Sequence, residues 1–251
     1  MYKDNPIGPI HKKILAEEIA DSIRKRIFDG TFKPGEKLPP ERELAKQLRV
    51  NRSSLREGLK LLQQLGLVSI RHGDGTRVLD FFQTASVEVV KYLLHDESLD
   101  RLKIFADILE VRTILCLKIV ELAAKNSTKD EIRAVRQNVE SMREPDSDES
   151  AAVNQDFEFY EMLARVADNM ILTLILNTVK PPFKLFKLMF GGLAMPPGDV
   201  WNAQDGILDA IENKDRDKAV SIAGEYFAQT GSHFLHQLKK KKEKENEEKE
   251  D

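Results

Sequence analysis

The chain holds little from which a disulfide-stapled or membrane-embedded fold could be made. Cys116 is its only cysteine, so no intramolecular disulfide can form, which fits a reducing compartment. The longest stretch free of charge, near Asn169 to Val179, is too short to cross a bilayer. The opening Met-Tyr-Lys-Asp-Asn-Pro has no apolar core of the kind that directs secretion. These shortages together predict a cytoplasmic protein that does not span a membrane. There is no phosphate-binding glycine loop, no nucleophile–base set and no metal-ligand cluster, which argues against an enzyme. Internal repeats are absent as well.

What is present is unevenly distributed. Through Asp80 there are 16 Lys/Arg against 11 Asp/Glu, whereas the remainder has 23 basic and 31 acidic residues. A basic first third ahead of an acidic remainder suits a nucleic-acid module joined to something else. From His11 to Phe28, the apolar residues Ile14, Leu15, Ile19, Ile23 and Ile27 recur at spacings of about four, with charges between them. They make one buried stripe, the mark of an amphipathic helix, and Gly30 ends it. Lys33-Pro34-Gly35 reads as a turn. Glu41 to Leu48 is a short second helix with acidic residues in its first turn, where they complement the macrodipole.

Asn51 is a good N-cap for a third helix. Leu55, Leu59 and Leu62 fix its core face and leave Arg52, Ser53, Arg56 and Lys60 pointing elsewhere, with Ser54 near the rim. Arginine and hydroxyls in a first turn suit entry into a major groove, where they can grip phosphates or base edges. A plain solvated helix face would show the same residues, so the neighbouring segments decide. Leu67 to Arg71 and Thr76 to Leu79 are short extended runs around His72-Gly73-Asp74-Gly75, a glycine-bounded hairpin. Helix, turn, helix and hairpin make a winged helix-turn-helix. Asp74 near the hairpin tip would repel phosphate, which shifts the expected contact there to His72 and Gly73.

The order and spacing of these pieces is specific. Pro34-Gly35, Leu38-Pro39-Pro40-Glu41-Arg42-Glu43-Leu44-Ala45, Arg52 with Leu55-Arg56-Glu57, Gly66-Leu67-Val68 and Gly73-Asp74-Gly75-Thr76 resemble the DNA-binding signature of the GntR family of bacterial transcription regulators. The resemblance implies DNA contacts by Arg42, Asn51, Arg52, Ser53, Ser54, Arg56, His72 and Gly73. Pro40 departs from the family, where a helix-capping serine is common. Proline is tolerated at a helix start, so the helix survives without that cap.

After Asp80 helical periodicity takes over. The expected layout is a DNA-binding domain over 1–80, a linker at 81–84, an all-helical effector and dimerisation domain over 85–240, and a charged, disordered tail over 241–251. Within the helical part, Ala85 to Leu94 and Ser98 to Lys125 read as helices, and Thr128-Lys129-Asp130-Glu131 as a capping box. Pro181-Pro182 is expected to end a helix begun at Asn169, with a short helix over Phe183 to Phe190 and a loop over Gly191 to Gly198. Two further helices are expected over Asp199 to Glu212 and Asp215 to Lys239. The fold class is therefore mainly α, with one small β-hairpin.

In the large all-helical subfamily, the resemblance would imply a divalent metal held by an aspartate, here Asp156, and three histidines. This chain offers Tyr160, Gln204 and Tyr226 at those positions. One carboxylate without an imidazole is not a transition-metal site, so no metal and no cofactor is expected. Asp80-Phe81-Phe82-Gln83-Thr84-Ala85, His95-Asp96-Glu97-Ser98, Val111-Arg112-Thr113 and Leu174 through Lys180 instead resemble the acyl-CoA-responsive FadR branch of the family. That resemblance implies a bundle whose interior takes a long-chain acyl-CoA and releases DNA. Tyr160, Phe183, Phe186, Phe190, Tyr226 and Phe234 are candidates to line the acyl cavity, Arg112 and Lys180 to meet the polar end. Thr230 and Gly231 join Tyr226 and Phe234 in the expected ligand-contacting run of the last helix. A regulator sensing a small carboxylate or sugar acid through Arg112 is the alternative. Either would act as a homodimer on a palindromic double-stranded operator, since protein two-fold symmetry is mirrored in the half-sites.

Overall fold

The apolar stripe of the first helix finds its partner in the third. In the computed structural model, which describes residues 12–96, 99–143, 149–189 and 196–250, α1 (Lys12–Phe28) packs against α3 (Arg52–Gln64). Ile19, Ile23 and Ile27 share a core with Leu55, Leu59 and Leu62, each no more than 4% exposed. Truncating any one of these leucines to alanine costs roughly 2–5 kcal/mol by the usual transfer and cavity effects. In the same core, α2 (Glu41–Gln47) buries Leu44 and Ala45. Pro40 supplies no side-chain cap, but its carbonyl accepts from the Glu43 and Leu44 amides at 2.8 and 3.0 Å, so the helix starts as expected. At α3 the predicted cap is present: Asn51 Oδ1 accepts from the Ser54 amide at 2.8 Å.

The wing is an antiparallel pair, β1 (Val68–Arg71) and β2 (Gly75–Val78), with Val68 opposite Val78 and Arg71 opposite Gly75. Gly73 at φ 80° and Gly75 at φ 87° adopt the left-handed conformations that turn the chain between them. On the other side of β2, the Leu38 amide donates to Thr76 O and the Val78 amide to Glu36 O, both at 2.9 Å. The segment after the Pro34-Gly35 turn thus ties the start of the helix-turn-helix to the wing.

The expected linker is instead part of this first unit. Compact units divide between Leu99 and Asp100, not near residue 84. Residues 81–84 form a short helix, α4 (Phe81–Thr84), capped by Asp80. Thr84 Oγ1 donates to the Gly66 carbonyl at 2.7 Å, and Phe81 stands edge-on to Phe28 with ring centroids 5.3 Å apart. A Cβ on Gly66, which sits at φ 74°, would lie 2.3 Å from the Thr84 carbonyl oxygen, so only glycine fits that crossing. Ala85 to Leu94 is not one helix but a 3-10 turn (Val87–Val89) followed by α5 (Val90–Leu93). The β-branched Val87, Val89 and Val90 are stiff at χ1 and weaken helix formation. Val89 is buried in the first unit's core, and the Arg24 guanidinium lies 3.6 Å over the Tyr92 ring.

In the second unit, α6 (Arg101–Asn126) is the central element, started by Asp100 accepting from the Leu102 and Lys103 amides. Against it pack α8 (Glu149–Val166), α9 (Met170–Met189), α10 (Pro197–Glu212) and α11 (Arg216–Glu250), while α7 (Lys129–Met142) covers α8 and α10. The Thr128–Glu131 capping box forms as predicted. Three expectations fail. Helix α9 runs through Pro181 and Pro182 to Met189 instead of stopping. The carbonyls that lose their donors belong to Asn177 and Thr178, both exposed residues, so water can serve them in place of the missing amides. Pro196 and Pro197 start α10, which makes Gly198 helical; Phe190 and the rest of the expected loop lie outside the described residues. Finally, α11 continues to Glu250, past the expected end at Lys239. No glycine or proline follows Gly231, and the closing run is mostly lysine and glutamate, both good helix formers. No described helix is long and apolar enough to cross a membrane.

Candidate functional site

Two sites emerge, one in each unit. In the first, the exposed side of α3 carries Arg52 and Ser53 in its first turn and Arg56 one turn later, with Arg42 exposed on α2. His72 and Gly73 are exposed at the wing tip. Two of the predicted contacts are placed differently. Ser54 is 1% exposed with its hydroxyl turned inward, because one step of 100° from Ser53 carries it onto the core face beside Leu55. Asn51 is exposed, yet its side-chain oxygen is committed to capping α3, which leaves only its amide nitrogen for DNA.

The sequence presents Glu41 only as a helix-start acid, but in the fold it reaches across to α3. Its Oε2 accepts from Arg56 Nε at 2.8 Å and lies 3.7 Å from Arg52 Nη2. The wing likewise holds ion pairs that residue spacing does not reveal. Asp74 binds both Lys37 and Arg77, and Arg77 Nη1 also donates to the Gly35 carbonyl at 3.1 Å. Lys37 faces Arg77 across an isolated bridge, a pairing that only the strand register makes visible. Asp74 is therefore less of a repulsive charge than its position suggests.

Hydrogen bonds from Lys37, then Arg77, hold the Asp74 carboxyl down to about 2. A depressed carboxylate contributes to stability above its ordinary value and loses that contribution as pH falls through the folded one. The wing staple should accordingly persist as pH drops past 3.8 and release only near 2. An NMR titration of Asp74 checks this: Lys37→Ala should move the midpoint back toward the ordinary range, and an ordinary midpoint in the parent chain would mean the staple does not form.

The second site lies inside the helical unit. Arg112 on α6 donates from Nη2 to Asp156 Oδ2 on α8, and the two side chains are only 6% and 5% exposed. Buried in the same unit are Tyr160 of α8, Gln204 of α10, and Tyr226 and Thr230 of α11. Burial pushes the Asp156 carboxyl above its ordinary value, opposed by the Arg112 guanidinium. Burial works against the charge on Arg112, but Asp156 more than offsets it and holds the guanidinium firmly protonated. Burial, and then the charge of Asp156, raises both tyrosine hydroxyls. Cys116, close enough to feel the same charges, is pushed up to about 12 by burial and stays a protonated, unreactive thiol. Asp156 Oδ1 and Gln204 Nε2 are buried without a well-formed hydrogen-bond partner among the described residues.

Aromatic rings pack within the same core. Tyr160 packs 5.2 Å from Phe227, whose face also carries the Arg112 guanidinium at 4.9 Å, and Phe234 meets Phe105 at 6.3 Å. Of the predicted ligand residues, Arg112, Tyr160 and Tyr226 are brought together. Thr230 spends its hydroxyl on the Tyr226 carbonyl at 2.9 Å, one turn back. Gly231 is half-buried on the same helix. Lys180 is paired with Glu161 and lies over Phe157, so it is less available to a phosphate than expected. The side chains of Phe183 and Phe186 and all of Phe190 lie outside the described residues. Asp156, Tyr160, Gln204 and Tyr226 do not suit a divalent metal: the single carboxylate is already neutralised by a guanidinium, and no imidazole accompanies it among them.

Comparison with known proteins agrees with this division. Residues 15–78 match the bacterial regulatory proteins of the gntR family, and residues 107–229 match the FCD domain. The HTH-type transcriptional regulator Rv0494 of Mycobacterium tuberculosis is 36% identical over 73% of this chain and 74% of its own length. A fatty acid metabolism regulator protein of Pasteurella multocida is 31% identical over 66% of each chain. The Uxu operon transcriptional regulator of Escherichia coli is 30% identical over 62% of this chain and 60% of that protein. With a winged helix-turn-helix ahead of a helical domain and relatives of this kind, the chain belongs to the gntR family and is a DNA-binding transcription regulator, not an enzyme.

Proposed function

We propose that the chain is a homodimeric regulator of fatty-acid metabolism whose operator affinity falls when a long-chain acyl-CoA enters the helical unit. The supporting observation is the charged centre of that unit, Arg112 and Asp156 beside Tyr160, Tyr226 and Phe227, in a unit whose apolar core also holds Phe105 and Phe234. One polar end inside an otherwise aromatic and aliphatic interior suits a ligand with a polar head and a long apolar tail. Similarity to a fatty acid metabolism regulator points the same way. On this reading the arrangement with the Arg112–Asp156 pair intact is the one that binds DNA; a ligand that favours a different packing of α6 and α8 shifts the equilibrium only by its difference in affinity for the two. DNA is read by Arg42, Arg52, Ser53 and Arg56, with His72 and Gly73 at the wing.

A second reading is favoured by Arg112 itself, a buried cation that a small carboxylate or sugar acid could claim. Thermal melts separate the two. Palmitoyl-CoA at about 100 times its Kd should add ~2.7 kcal/mol to stability and raise the midpoint by several degrees, while free coenzyme A, small hydroxy acids and EDTA leave it unchanged. A shift with a hydroxy or sugar acid and none with palmitoyl-CoA would replace the first reading with the second.

A second copy of the chain is the partner that the outer face of α9 fits. From Met170 to Val179 the helix has no charged residue, yet Met170, Ile171, Leu174 and Ile175 are 42–73% exposed. On the adjoining α6, Val111 and Ile114 are exposed too. A solvated helix face carries charges; a charge-free apolar face is the composition of an interface centre. A two-fold contact here also supplies the two DNA-reading units a palindrome needs. Sedimentation should give twice the chain mass for the parent and the single mass for Ile171→Lys with Leu174→Lys; a parent sedimenting as a monomer at micromolar concentration refutes the assignment.

A further inference from the structure

We propose that Glu41 is a positioning residue for the DNA-reading arginines, and that it sets how sharply the protein discriminates its operator from other DNA. This rests on α3 being the helix that meets DNA. The observation is a carboxylate where affinity alone would not put one. Glu41 is the first residue of α2, its side chain is 29% exposed, and it sits between two guanidiniums on the face assigned to a polyanion. Its repulsion of phosphate must be offset by something it does to its neighbours.

Arg52 and Arg56 lie four residues apart on one face of α3, where like charges repel and drive long side chains apart. A single oxygen, Glu41 Oε2, meets both: Arg56 Nε at 2.8 Å and Arg52 Nη2 at 3.7 Å. The bond to Arg56 uses the inner edge of its guanidinium. The outer edge, with two parallel N–H donors, is then held in a fixed plane, the fork that fits guanine O6 and N7 or a phosphate. Fixing the plane before docking removes rotamer entropy that would otherwise be lost on binding, and a wrong base then meets donors that cannot swing away. The cost is one unit of positive charge on the face. Glu41 therefore trades general attraction to DNA for selectivity. Its place in the first turn of α2 also complements the helix dipole, and the experiment must separate that structural role from this one.

The duplex that the parent chain enriches from a randomised library serves as operator, with a scrambled duplex of equal length as competitor, both titrated over a range of salt. For Glu41→Gln the ratio of the two affinities should fall at least tenfold. Affinity for the scrambled duplex should hold or rise, with a steeper salt dependence because one more cation faces the phosphates. The thermal midpoint should stay within about two degrees, since exposed ion pairs add little to stability. Arg56→Lys keeps the charge but loses both the Nε–H that Glu41 holds and the outer fork, so placed in the Glu41→Gln background it should lower the ratio by less than a further twofold. A ratio within twofold of the parent overturns the proposal. So does full additivity in the double variant, which would mean that Glu41 acts through α2 and not through Arg56. Failure of the parent to enrich any duplex would instead overturn the assignment of α3.

Discussion

Replacing Arg52 or Arg56 with alanine is expected to weaken operator binding by about 5- to 150-fold each, the ~1–3 kcal/mol carried by a good arginine contact to a base edge. Both side chains are more than half exposed, at 62% and 57%, and among the described residues their ion pairs are with Glu41. Their loss should leave the thermal midpoint almost unchanged, because exposed ion pairs are worth ~0–1 kcal/mol. Salt dependence tells what each contacts. If an arginine meets phosphate, its removal lowers the slope of log affinity against log salt by about one, equally for all sequences. If it meets a base, the slope holds and selectivity at one operator position relaxes. Unchanged operator affinity in both variants would remove α3 from the DNA interface.

The second large effect belongs to the helical unit. Arg112→Ala or Asp156→Ala each strands a charge in a buried site, an error that costs about 3–5 kcal/mol. For a unit of this size that is a fall in midpoint of roughly 10 °C or more. Replacing both together, Arg112→Met with Asp156→Leu, should recover most of the loss, because a well-packed apolar pair is often as stable as the ion pair it replaces. The recovered protein is the informative one. If the pair is the polar end of an effector site, the double variant folds, binds operator and no longer responds to palmitoyl-CoA. If it still responds, the pair is structural and the effector lies elsewhere.

The winged helix is readable because its signals are local. Asn51 at the start of α3, Gly73 and Gly75 around the hairpin, and the leucines at helical spacing each act within a few residues of themselves. The capping box at Thr128 is of the same kind. What escapes reading depends on distance in sequence. Arg112 and Asp156 are separated by 44 positions, Glu41 and Arg56 by 15, and no periodicity announces such pairs. The same holds for Val89, buried in the core that α1 and α3 build, and for Tyr92, which lies beneath Arg24 of α1. A segment that looks like a connector is thus part of a core. Ser54 shows a finer limit. The helix is placed correctly, and a single step of rotation separates a residue facing solvent from one facing leucines. At Pro181-Pro182 a sound local rule is overridden because the affected carbonyls belong to exposed residues.

The clasp of Thr84 on Gly66, with Phe81 on Phe28 and Val89 in the core, defines where regulators of this design can be cut and rejoined. A transferable DNA-reading cassette taken from this chain extends to Leu99, and one ended at Asp80 would leave a socket for Val89 open to water. Chimaeras that pair its operator with another sensor should therefore carry the whole of 12–99 across, and place the junction at Asp100, where the next helix supplies its own cap.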